Sequence, residues 1–367
     1  MPDDHVLPLS LGTWNCAKLA HIPRRFSKVL TGPKQFSLRV LLLILTISLA
    51  GSAMYAESCQ GGDDMDAATR NALETTAKRY FDMASKGDAA GLRQNSIPSL
   101  ASGFGSVETA VSDNQANFAG AQATVKSSYS LKEDSTAPTE RAEFLCGVFG
   151  KTGQTAGSAV FMIPNLPAGN YGIVSLDVAG NKTPYTVSFV LVQDGAMWKL
   201  GGFYARSATV SGHDAKWFLQ QARTYKTQGK NHNAWFYYLQ ARELMTPVNF
   251  MSTLETDKLY DEAEAVKPAD LPTSGNGPTD LAAANGKTYK LTALFPLTVG
   301  NDLDLVVKYQ AADVSNTGQT FQENSAVIKA LVAKYPEFRD AFAGVVARAV
   351  DPSGRDYGSL LQMKDVK

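Results

Sequence analysis

Two histidines, His213 and His232, are the only ones beyond the first 21 residues of this 367-residue chain, and neither has a ligand pattern around it. Paired His or Cys at i, i+3 or i, i+4 would gather metal ligands on one helix face or in one tight turn. No H-x-x-x-H, H-E-x-x-H or C-x-x-C occurs, so metal hydrolysis has no sequence support. Each histidine stands beside a predicted helix start, with Asp214 and Asn231 next to them, and reads as a capping or solvated side chain.

The other chemistry-bearing patterns fail at specific positions. Gly286-Lys287-Thr288 resembles the tail of a phosphate loop, but the earlier glycine would fall at 281, where Leu281 stands. The segment also runs into a strand pattern, so no helix N-terminus would present its amides to a phosphate. G-x-S-x-G is absent, and neither Asp302/Asp304 nor Asp63/Asp64/Asp66 continues into a calcium loop with its Gly and distal Glu. The sequence assigns no catalytic, metal or cofactor-binding residue, and no cofactor is called for. Lys plus Arg equals Asp plus Glu at 35 each, which leaves no global positive field to hold a nucleic acid.

Val40 to Ala50 is apolar apart from Thr46 and Ser48. Its length suits the centre of a secretory signal, about 7–15 residues, better than the roughly 20 needed to span a bilayer. Arg24, Arg25, Lys28, Lys34 and Arg39 precede it and Glu57, Asp63, Asp64 and Asp66 follow, so the positive flank is expected to stay in the cytoplasm and the rest to be exported. Gly51-Ser52-Ala53 suits a signal peptidase, with cleavage after Ala53 or Ala56. Residues 1–36 read as a disordered lead, and 37–56 as a signal peptide or, uncut, a membrane anchor. Of three cysteines, Cys16 precedes this run. Cys59 and Cys146 can pair in an oxidising compartment, although Cys146, in strand-like EFLCGVFG, reads more simply as a small buried apolar group. A lipid anchor on Cys59 lacks the usual upstream Leu and has Glu57 close by.

Beyond the export segment the period of apolar residues alternates between helix and strand. Leu73, Ala77, Tyr80, Phe81 and Ala84 mark one helix face, closed by Gly87. Asp88 caps a short second helix, and a third starts at Ser106 with Val107, Val111 and Phe118 inward. ATVKSSYSL then opens a run of strands that ends in QDGAMWKLGGFY, whose Asp194-Gly195 suits a tight hairpin. The fold class is α+β. His213–Pro247 is helical again, KPADLPTSGNGPTDLAAANG (267–286) reads as a linker, and 287–367 reads as two strands, a helix and two strands, a small ββαββ α+β domain.

The stretch KRYFDMASKGDAAGL with strands ending in QDGAMWKLGGFY resembles the nuclear transport factor two-like superfamily over residues 66–206. That resemblance implies a cone-shaped domain in which a bent antiparallel sheet wraps helices around an apolar hollow. Catalytic members place a carboxylate or histidine base and a tyrosine or acid donor there, while many exported members are noncatalytic. The candidate cavity lining on this chain is Tyr129, Phe149, Phe189, Trp198 and Tyr204, with Asp177 inside a strand and Asp82 on the first helix. Phe218, Ala222, Tyr225, Gly229, Ala234, Tyr238 and Ala241 resemble a single tetratricopeptide repeat within a helical segment 213–266. No second copy is visible, so this hairpin is expected to pack on its neighbours.

Two functions follow. The leading one is a noncatalytic exported protein of a bacterial cell envelope, periplasmic or extracellular, either free or tethered to the inner membrane. It would bind an envelope protein partner or a small apolar ligand, touch the membrane only through its N-terminal apolar segment, and bind no nucleic acid. The alternative is a lyase or isomerase using Asp82 or Asp177 as base and a tyrosine as donor on a small hydrophobic substrate, with desolvation tuning the acid.

Overall fold

A computed structural model describes residues 57–149, 153–272 and 277–367. The expected lead and export segment lie outside the described residues. Among those described, no helix is long and apolar enough to cross a membrane.

The first helices form where their caps and apolar spacing agree. Helix α1 (Ala67–Ser85) starts at Asp66, whose carboxylate accepts the Thr69 N–H at 2.9 Å, and buries Leu73, Ala77, Tyr80, Phe81 and Ala84. Gly87, at φ +71°, ends it. Asp88 then caps α2 (Ala89–Gln94) by accepting from Gly91 N–H. A short α3 (Pro98–Ser102) leads into α4 (Gly105–Phe118), which turns Val107, Val111 and Phe118 inward.

Two antiparallel sheets follow. The larger has strand order β1-β2-β5-β6-β7, built from β1 (Glu57–Gly61), β2 (Gln122–Glu133), β5 (Gly169–Ala179), β6 (Tyr185–Asp194) and β7 (Met197–Ser207). The smaller joins β3 (Thr139–Cys146), β4 (Ala159–Leu166) and β8 (Met251–Thr253). Because side chains alternate along a strand, Val174, Leu176 and Val178 pack with the helices, while Tyr171 and Ile173 pack with the small sheet. The layers are therefore helices, large sheet, small sheet. Strand β1 lies before residue 66 and β8 lies beyond 206, so the unit expected at 66–206 recruits both ends from outside that range.

Helices α5 (Ala215–Thr227) and α6 (Asn231–Met245) form the expected hairpin across Gly229 (φ +74°), and α7 (Leu254–Glu264) follows β8. The last sheet has order β13-β12-β11-β10-β9: β9 (Thr279–Ala282), β10 (Thr288–Val299), β11 (Asp302–Gln310), β12 (Gly344–Val350) and β13 (Asp356–Gln362). Helix α8 (Thr317–Lys334) crosses between β11 and β12, the one parallel pair in this sheet.

The expected ββαββ order is present, but its separation from the helical segment is not. Phe218, Phe236 and Tyr237 share one core with Leu305, Phe338 and Phe342. Tyr237 Oη donates to Ala341 O and Tyr225 Oη to Asp340 O, both at 2.7 Å. The stretch expected as a linker, 267–286, contains β9 and buries Leu281 in that core. Its proline and glycine content does not free it: Leu271 and Leu281 are both buried in that core.

Candidate functional site

The space between the helices and the large sheet is filled by rings. Phe118 lies 5.5 Å from Phe81 and 5.2 Å from Tyr185, and Phe189 lies 6.2 Å from Tyr80 and 5.5 Å from Phe203. Tyr80 Oη donates to Trp198 O at 2.8 Å, closing the end of this layer.

The residues expected to line one hollow are spread over three environments. Phe189 and Trp198 belong to the helix side of the sheet, whereas Tyr129 and Tyr204 belong to the opposite side with the small sheet. Burial pushes Tyr204 up to about 12, so its hydroxyl keeps its proton, with Arg206 a smaller opposing influence. Phe149 is 83% exposed. The reason is local: Ala142, Phe144 and Cys146 are the inward residues of β3, which leaves 149 on the outward parity, and Gly147, at φ +63°, ends the strand before it. Asp82 pairs with Lys86 at 2.7 Å and Asp177 with Lys126 at 3.1 Å, all at the surface. Among the described residues, neither acid is hydrogen-bonded to a tyrosine.

Cys146 is buried, as expected, but not as a lone thiol. It is bonded to Cys59, with Cα atoms 4.9 Å apart, and so ties β1 to β3 across the two sheets. The pairing removes Cys59 as a free thiol.

His232 is the other correction. It is neither a cap nor solvated: Nδ1 lies 2.6 Å from Glu337 Oε1, and Nε2 lies 3.0 Å from Asp270 Oδ1. Both ring nitrogens are thus occupied by carboxylate neighbours. The imidazole works as a clamp joining the start of α6, the 267–272 segment and the 3-10 turn Pro336–Asp340. Burial alone would raise Asp270, and the hydrogen bond and charge of His232 more than offset it, so that carboxyl titrates below its ordinary value. His213 stacks flat on Trp217 at 3.7 Å.

One open groove lies on the helical hairpin. Helix α5 buries Phe218 and Ala222 and turns the opposite face outward. There Lys216, Leu219, Gln220, Arg223, Thr224 and Thr227 line an open groove of about 520 Å³. Their spacing of three and four residues puts all six on one helix face. Thr224 and Thr227 donate to the carbonyls of Gln220 and Thr224, leaving their oxygen lone pairs outward. Arg223 is fixed by two hydrogen bonds to Glu262, at 3.0 and 2.6 Å. The hydrogen bond from Arg223 lowers the Glu262 carboxyl. Lys216 is exposed at one end of the groove. The face combines a cation, an amide, hydroxyls and one leucine, chemistry suited to an extended polar segment with a single apolar anchor. None of these six residues stands out in the sequence; the signal that could have found them is the polar i, i+4, i+7, i+8 stripe opposite Phe218 and Ala222.

Among the described residues, no three His, Cys, Asp or Glu side chains are arranged to hold a metal ion. The chain matches no protein-family model, no curated protein and no solved structure.

Proposed function

We propose that the chain is an exported, noncatalytic interaction protein of a bacterial cell envelope, and that the α5 groove receives an extended segment of a protein partner. The observation that carries the export half is the Cys59–Cys146 bond, because disulfides persist in oxidising compartments and are rare in the cytosol. The apolar run Val40–Ala50 ahead of it supports the same reading. The binding half rests on contrast: the interior of the first layer is filled with rings, whereas the α5 face is concave and lined by polar side chains. A small apolar ligand fits such a surface less well than a peptide does.

The finer architecture is part of the proposal. Helices followed by a large antiparallel sheet support a nuclear transport factor two-like unit, and α5–α6 support a tetratricopeptide-like hairpin serving as its interaction arm. Membrane contact is confined to the N-terminal apolar segment.

Trapping thiols in intact cells before fractionation tests this reading. Cys59 and Cys146 should resist alkylation until reduced, in protein recovered from the envelope or medium. Free thiols at both positions in protein recovered from the cytosol would refute it.

A further inference from the structure

We infer that β13 is a self-pairing edge, through which two copies of this chain join their terminal sheets. An edge strand exposes a row of unpaired backbone groups, and folded proteins normally blunt it. Other edges here are managed. Strand β7 is overlaid by residues 95–97, where Ile97 N–H donates to Leu200 O and Leu200 N–H to Asn95 O, both at 2.9 Å. Strand β9 has four residues, β8 has three, and β1 is cross-linked to β3. Strand β13, DYGSLLQ, runs seven residues in unbroken register with β12 and has no proline, lysine or bulge.

Its backbone directions can be assigned. Met363 N–H donates to Ala343 O and Asp351 N–H to Arg355 O, which makes the odd-numbered residues those bonded to β12. Asp356, Gly358, Leu360 and Gln362 therefore point their N–H and C=O groups away from the sheet.

The occupant is argued from the strand itself. Antiparallel pairing about a two-fold axis at Ser359 sets Gly358 against Leu360, Tyr357 against Leu361 and Asp356 against Gln362. No like charges meet, and the outward groups form up to about eight inter-strand hydrogen bonds. Leu360 is 41% exposed, and its counterpart Gly358 leaves the gap it needs, since a Cβ there would come no nearer than 3.5 Å to Arg348. Tyr357 opposite Leu361 adds an aromatic–aliphatic cross-strand pair.

The test uses the full chain with Cys16 replaced by serine, so that the native disulfide holds its only cysteines. Sedimentation equilibrium should give twice the chain mass. Leu360→Lys, at an exposed position, should weaken the dimer at least about tenfold with an unchanged circular dichroism spectrum. Ser359→Cys should cross-link to a covalent dimer on mild oxidation, because facing non-hydrogen-bonded residues lie about 4.5 Å apart at Cα, within disulfide reach. The inference is overturned by a monomer at every concentration. It is equally overturned by a dimer that ignores Leu360→Lys and never cross-links at 359, or by a monomer that pairs only with a strand of another protein.

Discussion

His232 and Asp304 show two opposite outcomes for a polar side chain taken from water. His232 meets a carboxylate at each nitrogen, so His232→Gln, which loses at least one of these contacts, should cost about 1–2 kcal/mol given their partial exposure. Urea denaturation measures it. Because Asp270 titrates below its ordinary value when folded, its share is present above the unfolded pKa and is lost as pH falls through the folded one; the gap between wild type and variant should therefore narrow in acid. Asp304 is only 3% exposed, and its carboxyl is raised first by burial and then by the charge of Asp302, against a lowering hydrogen bond from Gly344. Here the sign reverses. The folded state holds a proton the unfolded chain releases, so its contribution is most favourable below the unfolded pKa and declines as pH rises through the folded one. Asp304→Asn should remove that decline, giving a melting temperature that gains on wild type from about pH 4 upward. A variant less stable than wild type at pH 7 would show that the charge is paired after all.

At the scale of elements, the periodic ones were legible and the short ones were not. Helices α1, α5, α6 and α8 carry apolar residues at helical spacing, and the Asp194-Gly195 hairpin is explicit in its turn residues. Strands ESCQG, MST and TDLA are too short to show a period, and each becomes a strand through a partner distant in sequence or through burial. The His232 clamp was hidden for the same reason, with Asp270 38 and Glu337 105 residues away. The α5 groove was not read from the sequence, because a polar stripe on a surface helix looks like any solvated face. Strand β9 gives the sharpest test of the corrected boundary: Leu281→Ala should cost about 2–4 kcal/mol, because Leu281 is 2% exposed in the core that α5, α6 and α8 share. A free linker would lose nothing measurable in the same denaturation curve.

For the whole molecule, one covalent bond links fold and location. The Cys59–Cys146 bridge closes a separation of 87 residues, for which restriction of the unfolded chain predicts about 4–5 kcal/mol, an upper figure for a bond of this kind. Replacing both cysteines by alanine should lower the urea midpoint accordingly, and reducing agent should do the same to wild type while leaving the alanine variant unmoved. Under the proposed function this bond suits the oxidising cell exterior. The intact mass of the protein isolated from its own cells tests that claim most directly. The account predicts a chain beginning at Met54 or Glu57 and lighter by two hydrogens than its reduced form; the full 367-residue chain with both thiols reduced would contradict it.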